Sequence, residues 1–268
     1  MSDFEGVSDT LYIPLSARIY VSKRFPQYFY DEKSLEFESK IPNTTITDNS
    51  SEYTMMASVA RYYNFDEMIS NYIESHGKCN IINLGAGFET AYFRIDRKNS
   101  IFYEMDLPEV IELRKELLGE NNGETLIAGD LFDLKWTKEI GTTLPSLITV
   151  SGVFQYFHEN QILKFIKGLK NEFEDAEIIF DATSKGGLKF TNRYVKKTGN
   201  TSALMYFYVN DCEEFASKSG TELIEERTFY PETLKMLSKE LSFMTKLFMK
   251  IADSRKNAII LHLKFYNN

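Results

Sequence analysis

Short apolar runs of strand length alternate along this chain with longer segments in which apolar residues recur at helical spacing. The runs cover residues 79 to 84, 100 to 105, 124 to 128, 146 to 151, 176 to 181, 222 to 229 and 257 to 265. Helical patterns lie between them, notably at 108 to 118, 159 to 173, 211 to 218 and 231 to 252. Such alternation is typical of a doubly wound α/β sheet, which binds its ligands outside the carboxyl ends of the strands. We therefore predict a Rossmann-like fold with its site at that edge.

The N-terminal quarter of the chain carries no strand pattern. Residues 11 to 40 mix aromatic with charged residues in a helical segment, and between residues 51 and 75 apolar residues recur at helical spacing. That spacing predicts a helix packed against the sheet. We predict one compact domain, in which an N-terminal helical cap of residues 1 to 75 precedes a core of residues 76 to 268.

The clearest sign of a ligand site is an apolar strand that runs into a glycine turn. Leu84 is followed by Gly85 and Gly87, which allow the backbone to turn sharply and to lie against a ligand. A second apolar strand ends in Asp106, and an acid at that position can accept hydrogen bonds from both hydroxyls of a ribose. The pattern predicts a site for a nucleoside cofactor.

The identity of the cofactor depends on the residues just after the glycines. A dinucleotide fingerprint has a third glycine where this chain has Thr90, and no Gly-Lys-Ser/Thr phosphate loop comes after it. Since S-adenosylmethionine has a ribose and an adenine but no phosphate, it needs the acid and the glycine turn without an anion site. The sequence therefore favours S-adenosylmethionine over NAD.

Several linked motifs resemble those of the leucine carboxyl methyltransferase family, most closely its bacterial branch of polyketide and small-molecule O-methyltransferases. The motifs are Asn83-Leu84-Gly85-Ala86-Gly87-Phe88-Glu89-Thr90, Tyr103-Glu104-Met105-Asp106-Leu107-Pro108-Glu109-Val110-Ile111, Gly129-Asp130-Leu131 and Ser151-Gly152-Val153-Phe154-Gln155-Tyr156. Arg61, Trp136 and Asp181 also fit, and the resemblance spans roughly residues 11 to 265. It implies a seven-stranded sheet in the order 3-2-1-4-5-7-6, with the last strand antiparallel.

The resemblance also implies a set of cofactor-binding residues. Arg61 would hold the carboxylate of the methionine moiety, Asp106 the ribose and Asp130 the adenine amino group. The full set is Arg61, Gly85, Ala86, Gly87, Glu104, Asp106, Leu107, Asp130, Leu131, Ser151 and Gly152. Each charged member has a structural alternative: Asp106 as a helix cap, Asp130 as a turn residue, and Arg61 and Glu104 as surface charges.

Ser151 is a departure from the family, which usually has a glutamate at this position. A serine forms hydrogen bonds but brings no charge. Either the pocket binds its cofactor more weakly, or another acid such as Glu104 compensates. A family member that binds the cofactor without catalysing a reaction is a further alternative.

Few residues of the sequence suggest a catalytic base. His76 and His158 lie at predicted helix ends and His262 lies within the last strand, so all three are interpreted as structural and no catalytic residue is assigned. This scarcity favours a carboxylate acceptor, which is ionised at neutral pH, over a phenol.

The segment of residues 185 to 210 combines glycines, basic residues and aromatic residues. We predict substrate contacts from Arg193, Tyr206 and Tyr208, although a solvated connection would explain the same composition. In the N-terminal segment, the resemblance makes Arg18 and Tyr20 candidates to close over the cofactor, as the family's N-terminal basic residue does, with a purely structural role as the alternative.

Composition limits the classes of partner. The chain has 268 residues, 43% hydrophobic content and a net charge of −8, and this acidity disfavours binding to nucleic acid. Cys79 and Cys212 match no metal-ligand spacing, and the absence of eighteen consecutive apolar residues disfavours a membrane protein. We expect a cytoplasmic protein without a metal, acting on a small molecule.

The sequence as a whole predicts an S-adenosylmethionine-dependent O-methyltransferase. Its acceptor would be a carboxylate or hydroxyl of a small polyketide-like molecule. The alternatives are a non-catalytic protein that binds the same cofactor and a NAD-dependent oxidoreductase. The sequence leaves the identity of the acceptor and the oligomeric state open.

Overall fold

The computed structural model describes residues 5–41, 50–119, 123–198 and 204–266, with side chains given from residue 11 onward and not for 194–198. Its seven strands form one sheet in the order β3-β2-β1-β4-β5-β7-β6. The strands are β1 Asn80–Leu84, β2 Ile101–Asp106, β3 Glu124–Ala128, β4 Ser146–Val150, β5 Ala176–Ala182, β6 Thr221–Thr228 and β7 Ile259–Phe265. The predicted strand order is confirmed.

The strand directions also match the prediction. β1 pairs in parallel with β2 and with β4, while β7 is antiparallel to both β5 and β6. In the central three strands, Leu84 of β1 lies beside Met105 of β2 on one side and Val150 of β4 on the other. Because these three strands are parallel, their carboxyl ends meet at one edge of the sheet, and the segments after them are brought together there.

The helices lie on both faces of the sheet. Those described are α1 Glu5–Arg24, α2 Glu32–Leu35, α3 Glu52–His76, α4 Ala91–Arg94, α5 Pro108–Leu118, α6 Glu159–Glu172, α7 Lys185–Thr198, α8 Cys212–Ser219, α9 Pro231–Leu237 and α10 Phe243–Ser254. None of them is long and apolar enough to cross a membrane. Helix α3 begins where the hydroxyl of Ser51 accepts the Thr54 N–H at 3.1 Å, as an N-cap does.

Successive residues of a central strand face opposite cores, as the two-residue repeat of a strand requires. Ile81 packs into a core that includes residues of α1, α3 and α10. Ile82 packs into a second core, which includes residues of α6 and α8. Strand β1 is buried along its whole length, and the side chains of its two polar residues, Asn80 and Asn83, form hydrogen bonds with Ser146 and Glu104.

The prediction of one helix over residues 231 to 252 is wrong. Helix α9 ends at Leu237, and α10 begins after Ser242, whose hydroxyl accepts the Thr245 N–H at 3.2 Å. The backbone N–H of Ser242 in turn donates to a carboxylate oxygen of Glu52 on α3. Neither glycine nor proline marks the break. A serine cap and a long-range contact, both invisible to hydrophobic spacing, divide the segment.

Candidate functional site

A cavity of about 530 Å³ lies at the carboxyl ends of β1, β2 and β4. Eight of the eleven predicted cofactor-binding residues line it: Arg61, Gly85, Ala86, Gly87, Asp106, Leu107, Ser151 and Gly152. Helices α1 and α3 supply the opposite wall. The cavity therefore lies where a doubly wound sheet binds its ligands, and most of the predicted residues meet there.

The turn after β1 depends on its glycines. Gly85 and Gly87 have φ angles of 66° and 48°, in the left-handed region that favours glycine. A Cβ atom on Gly85 would also collide with Cγ2 of Val153 in the loop after β4. The turn can therefore approach that loop closely only because no side chain intervenes.

Asp106 connects the end of β2 to the glycine turn. Its Oδ2 accepts the Gly87 N–H at 2.7 Å, and its Oδ1 accepts the Leu107 N–H at 2.7 Å. It does not cap α5 in the usual way, because the side chain bonds no N–H of the first helical turn. Each carboxylate oxygen keeps a lone pair for a further donor. Burial raises the pKa of the carboxyl above its ordinary value.

Arg61 is a largely buried residue of α3, with 15% of its side chain exposed, and its interpretation as a surface arginine is wrong. Nη1 donates to Oδ2 of Asp181 at 3.3 Å, while Oδ1 of Asp181 accepts the Gly152 N–H at 2.5 Å. Burial disfavours the Arg61 charge, but Asp181 outweighs this effect, and the pKa of the guanidinium lies above its ordinary value. Its buried Nε has no hydrogen-bond partner among the described residues. Because Arg61 lines the cavity, its guanidinium is placed to donate to a ligand there.

Ser151 follows β4 and lines the same cavity. Its hydroxyl is buried, and the part of the chain that the structure describes provides no hydrogen-bond partner for it. Leaving a buried hydroxyl unpaired costs free energy. Such a group is therefore well suited to bind a polar atom of a ligand.

Glu104 does not line the cavity, although it was predicted to bind the cofactor. Its side chain is fully buried, so the alternative of a surface charge is also wrong. Oε1 accepts from Nδ2 of Asn83 at 2.8 Å, and Oε2 lies 3.6 Å from Nη2 of Arg114. Burial raises the pKa of Glu104 to about 8. Asn83 does line the cavity, so Glu104 lies one layer behind the wall.

Asp130 and Leu131 are also outside the residues that line the cavity. Asp130 is exposed, and its Oδ1 accepts the Phe132 N–H at 2.8 Å, as in an Asx turn. Leu131 packs in the core, where its carbonyl oxygen accepts from Nε1 of Trp136 at 3.1 Å. Contact of Asp130 with adenine and of Leu131 with the cofactor stays a prediction.

The three predicted substrate residues are not brought together at the cavity. Arg193 belongs to α7, and Tyr206 is exposed with its ring 4.6 Å from that of His158. Tyr208 is partly buried, with Nζ of Lys185 at 5.8 Å from its ring. The backbone N–H of Tyr206 donates to the Gln155 carbonyl at 2.7 Å, so Tyr206 lies behind a cavity residue rather than in the wall.

Several side chains of the cavity wall were not predicted. They are Leu11, Ile13 and Pro14 of α1, Tyr62, Phe65, Asp66 and Ile69 of α3, and Gln155, Tyr156 and Phe157 after β4. Two signals in the sequence could have found them. Helical spacing places Tyr62, Phe65 and Ile69 on one face, and Gln155 and Tyr156 belong to the motif that begins at Ser151. Arg18 lines the cavity as well, whereas Tyr20 does not and instead accepts from Nη1 of Arg24.

The three histidines have structural partners, and none is among the described residues that line the cavity. His76 ends α3, with Nδ1 3.0 Å from the Tyr72 carbonyl oxygen. The N–H of His158 donates to Gln161 at the start of α6, and His262 pairs with Glu177 at 2.6 Å. These positions agree with the interpretation of all three as structural.

The chain matches the family model described as leucine carboxyl methyltransferase over residues 15–170. It is 23% identical over 199 residues to the tetracenomycin polyketide synthesis O-methyltransferase TcmP of Streptomyces glaucescens. That match covers 73% of this chain and 74% of the relative.

Solved structures share the fold. A candidate methyltransferase from Thermobifida fusca has a TM-score of 0.59 at 13% identity, and the match covers 94% of each chain. A DUF574 family protein from Streptomyces avermitilis has a TM-score of 0.56 at 13% identity, over 94% of this chain and 97% of that one.

Proposed function

This chain belongs to the leucine carboxyl methyltransferase family and is an S-adenosylmethionine-dependent methyltransferase, and from that premise we propose that it methylates an oxygen of a small organic acid. The acceptor we propose is a carboxylate of a polyketide-like molecule, with a hydroxyl as the alternative. The similarity to TcmP, an O-methyltransferase of polyketide synthesis, supports this class of acceptor.

The residues of the cavity fit the cofactor. Asp106 accepts the ribose hydroxyls with the lone pairs that its two backbone hydrogen bonds leave free. Arg61 binds the carboxylate of the methionine moiety, and the unpaired hydroxyl of Ser151 binds a polar group at the same end. Gly85 and Gly87 let the backbone lie against the adenosine.

The observation that carries this proposal concerns Glu89, immediately after the glycine turn. Its Oε1 accepts the N–H groups of Thr90 and Ala91 at 2.7 Å and 2.8 Å. In dinucleotide-binding folds, N–H groups at this position bind the pyrophosphate. Here a carboxylate occupies them, and its charge would repel a phosphate. The site therefore suits a nucleoside cofactor without phosphate and argues against NAD.

The cavity provides hydrogen-bond donors for the molecule that accepts the methyl group. The acidic residues among the described residues of its wall already have partners. Asp66 and Glu89 bind Arg94, and Asp106 accepts backbone N–H groups. Neither histidine nor lysine is among the described residues that line the cavity. A carboxylate acceptor needs no base, because its ordinary pKa of about 4 leaves it ionised at neutral pH.

The chemistry requires alignment more than acid–base catalysis. The sulfonium of S-adenosylmethionine supplies an activated methyl group. The chain has to hold the acceptor oxygen in line with that group and to exclude water. Tyr62, Gln155 and Tyr156 line the cavity with Arg61, and we assign the contact with the acceptor to them.

The proposal is tested with purified protein, S-adenosylmethionine and a panel of aromatic carboxylic acids matched to the corresponding phenols and amides. We expect S-adenosylhomocysteine and a methyl ester, which mild alkali hydrolyses. A product resistant to alkali would indicate a methyl ether and a hydroxyl acceptor. Binding of S-adenosylhomocysteine without turnover on any acceptor would favour the non-catalytic alternative, and calorimetric binding of NAD instead would overturn the cofactor assignment.

A further inference from the structure

Thr90, the residue that stands where a dinucleotide fingerprint has its third glycine, forms the centre of a buried polar cluster. Its side chain is fully buried. The hydroxyl donates to Oδ2 of Asp31 at 2.6 Å and accepts from Nη1 of Arg18 at 2.8 Å and Nη1 of Arg94 at 2.6 Å. One donated and two accepted bonds use the full capacity of a hydroxyl group.

The partners of Thr90 come from both parts of the molecule. Arg18 belongs to α1 and Asp31 precedes α2, so both lie in the N-terminal segment, whereas Arg94 ends α4 in the sheet-containing part. Burial opposes ionisation of Asp31, but Arg94 and Arg18, with hydrogen bonds from Ser34 and Thr90, outweigh it and bring its pKa to about 2. Asp31 is therefore charged, and the cluster holds two guanidinium groups that converge on one hydroxyl oxygen.

The same cluster is connected to the cavity. Nη2 of Arg18 donates to the Phe88 carbonyl at 2.6 Å, within the glycine turn, and Arg18 and Glu89 both line the cavity. Cδ2 of Leu11, which precedes Arg18 on α1 by about two helical turns, lies 3.0 Å from the position of a Cβ on Gly87. Helix α1 therefore rests directly on the turn that holds the cofactor.

We propose that the Thr90 hydroxyl is a positioning group that fixes α1 onto the glycine turn, so that cofactor affinity depends on this helix being docked. The proposal rests on the cofactor site proposed above. Without the hydroxyl, Arg18 and Arg94 each lose an acceptor and Asp31 loses a donor in a buried space, although both guanidinium groups keep Asp31 and Glu89 as ionic partners. Undocking of α1 lets water replace the lost partners and opens the cavity wall.

Thr90→Val and Thr90→Ser form the matched pair that tests this role. Valine keeps the shape of threonine and loses the hydroxyl, whereas serine keeps the hydroxyl. We expect Thr90→Val to weaken S-adenosylhomocysteine binding by about ten-fold or more, and Thr90→Ser to bind within about three-fold of the wild type. Without ligand, limited proteolysis should cut α1 faster in Thr90→Val than in the wild type and in Thr90→Ser, and saturating S-adenosylhomocysteine should slow this cleavage, because a ligand that binds the docked state better also favours docking.

Thr137→Val controls for a general loss of stability. Thr137 is equally buried, its hydroxyl donates to the Leu134 carbonyl at 2.7 Å, and it does not line the cavity. This change should lower the melting temperature without changing the affinity. If Thr90→Val behaves in the same way, the Thr90 hydroxyl is purely structural and the proposal is overturned.

A second variant keeps the test decisive if Thr90→Val does not fold. Asp31→Asn removes the charge between the two guanidinium groups, and Asp31 does not line the cavity. We expect the same loss of affinity, and an unchanged affinity would contradict the proposal. If the wild type does not bind S-adenosylhomocysteine, the cofactor site itself is refuted. If the wild type, Thr90→Val and Asp31→Asn all bind it equally well, only the positioning role of Thr90 is refuted.

Discussion

The backbone N–H of Gly87 donates a 2.7 Å hydrogen bond to Oδ2 of Asp106, which ties the glycine turn to the end of the neighbouring strand. On the other side of the same residue, the Gly87 carbonyl accepts from Nη1 of the buried Arg114 at 3.1 Å. Gly87 is therefore held from two directions before any ligand binds. Such preorganisation lowers the entropic cost of binding, because the turn need not be ordered by the cofactor.

We expect Asp106→Ala to weaken S-adenosylhomocysteine binding by about ten-fold or more. The change removes the two charge-assisted hydrogen bonds that we propose Asp106 accepts from ribose, each contributing about 1.5 to 3 kcal/mol, and releases the Gly87 N–H. Calorimetric titration measures the loss. Asp133→Ala is the control, since Asp133 is an exposed aspartate that pairs with Lys135. Equal affinity of the folded Asp106→Ala protein and the wild type would show that Asp106 only ties the two segments together.

Arg61→Lys should cost about 1 to 3 kcal/mol of binding free energy for S-adenosylhomocysteine, because an ammonium cannot bind a carboxylate with two parallel N–H groups. A decarboxylated analogue should bind both proteins equally. The analogue is an internal control for damage to the Arg61–Asp181 pair, since such damage would affect both ligands. Equal losses for the two ligands would mean that Arg61 is structural.

Ser151→Glu restores the acid that the family usually has at this position. If the unpaired Ser151 hydroxyl faces the cofactor, the new carboxylate should strengthen S-adenosylmethionine binding by about 1 kcal/mol or more. Because Glu104 lies outside the cavity wall, adding Glu104→Gln should change this result little. Ser151→Ala is the matched control and should weaken binding slightly. Weaker binding by Ser151→Glu that Glu104→Gln reverses would instead mean that the two acids share one site.

Glu104→Gln should change the dependence of stability on pH. Burial, with Glu124 nearby, raises the pKa of Glu104 from 4.5 to about 8, although Arg114 opposes the shift. Between these values the folded protein keeps a proton that the unfolded chain has lost. The contribution of Glu104 to stability is therefore complete below pH 4.5 and falls as the pH rises through about 8.

The neutral glutamine cannot lose this contribution, so the variant should become more stable than the wild type on the alkaline side, by up to a few kcal/mol as an order of magnitude. Urea unfolding on both sides of the pKa measures the difference. Glu112→Gln is the control, since Glu112 is exposed on α5 and pairs with Lys115 at 3.0 Å. Parallel stability curves for Glu104→Gln and the wild type would show that Glu104 is ionised in the folded protein.

The elements and most of the predicted residues that line the cavity could be predicted because their signals are local in sequence. Strand runs, the glycine turn at Gly85 and Gly87, and the acid at the end of β2 each depend on neighbouring residues. The rule that ligands bind at the carboxyl ends of parallel strands then brought Asp106 and Ser151 to one edge. The strand order and the antiparallel last strand came from the family resemblance rather than from the spacing of apolar residues.

Only the tertiary structure decided how burial distributes the charged residues. Glu104 shares a strand face with Asp106, but Arg114 and Asn83 cover it, and no local pattern shows which of two acids reaches the cavity. The basic and aromatic composition of residues 185 to 210 is typical of a substrate pocket. The packing of α7 and the segment after it nevertheless leaves Arg193, Tyr206 and Tyr208 outside the residues that line the cavity.

The docking of α1 is the clearest case of a feature that the sequence could not show. Arg18 and Asp31 lie 72 and 59 residues from Thr90 along the chain, so their convergence on one hydroxyl is set by the packing of whole elements. From the sequence alone, Thr90 indicated only which cofactor does not bind. Two of its three hydrogen bonds come from these distant residues, and only the bond from Arg94, four residues further along the chain, is local. The two distant contacts depend on the folded arrangement and not on the neighbours of Thr90 in the chain.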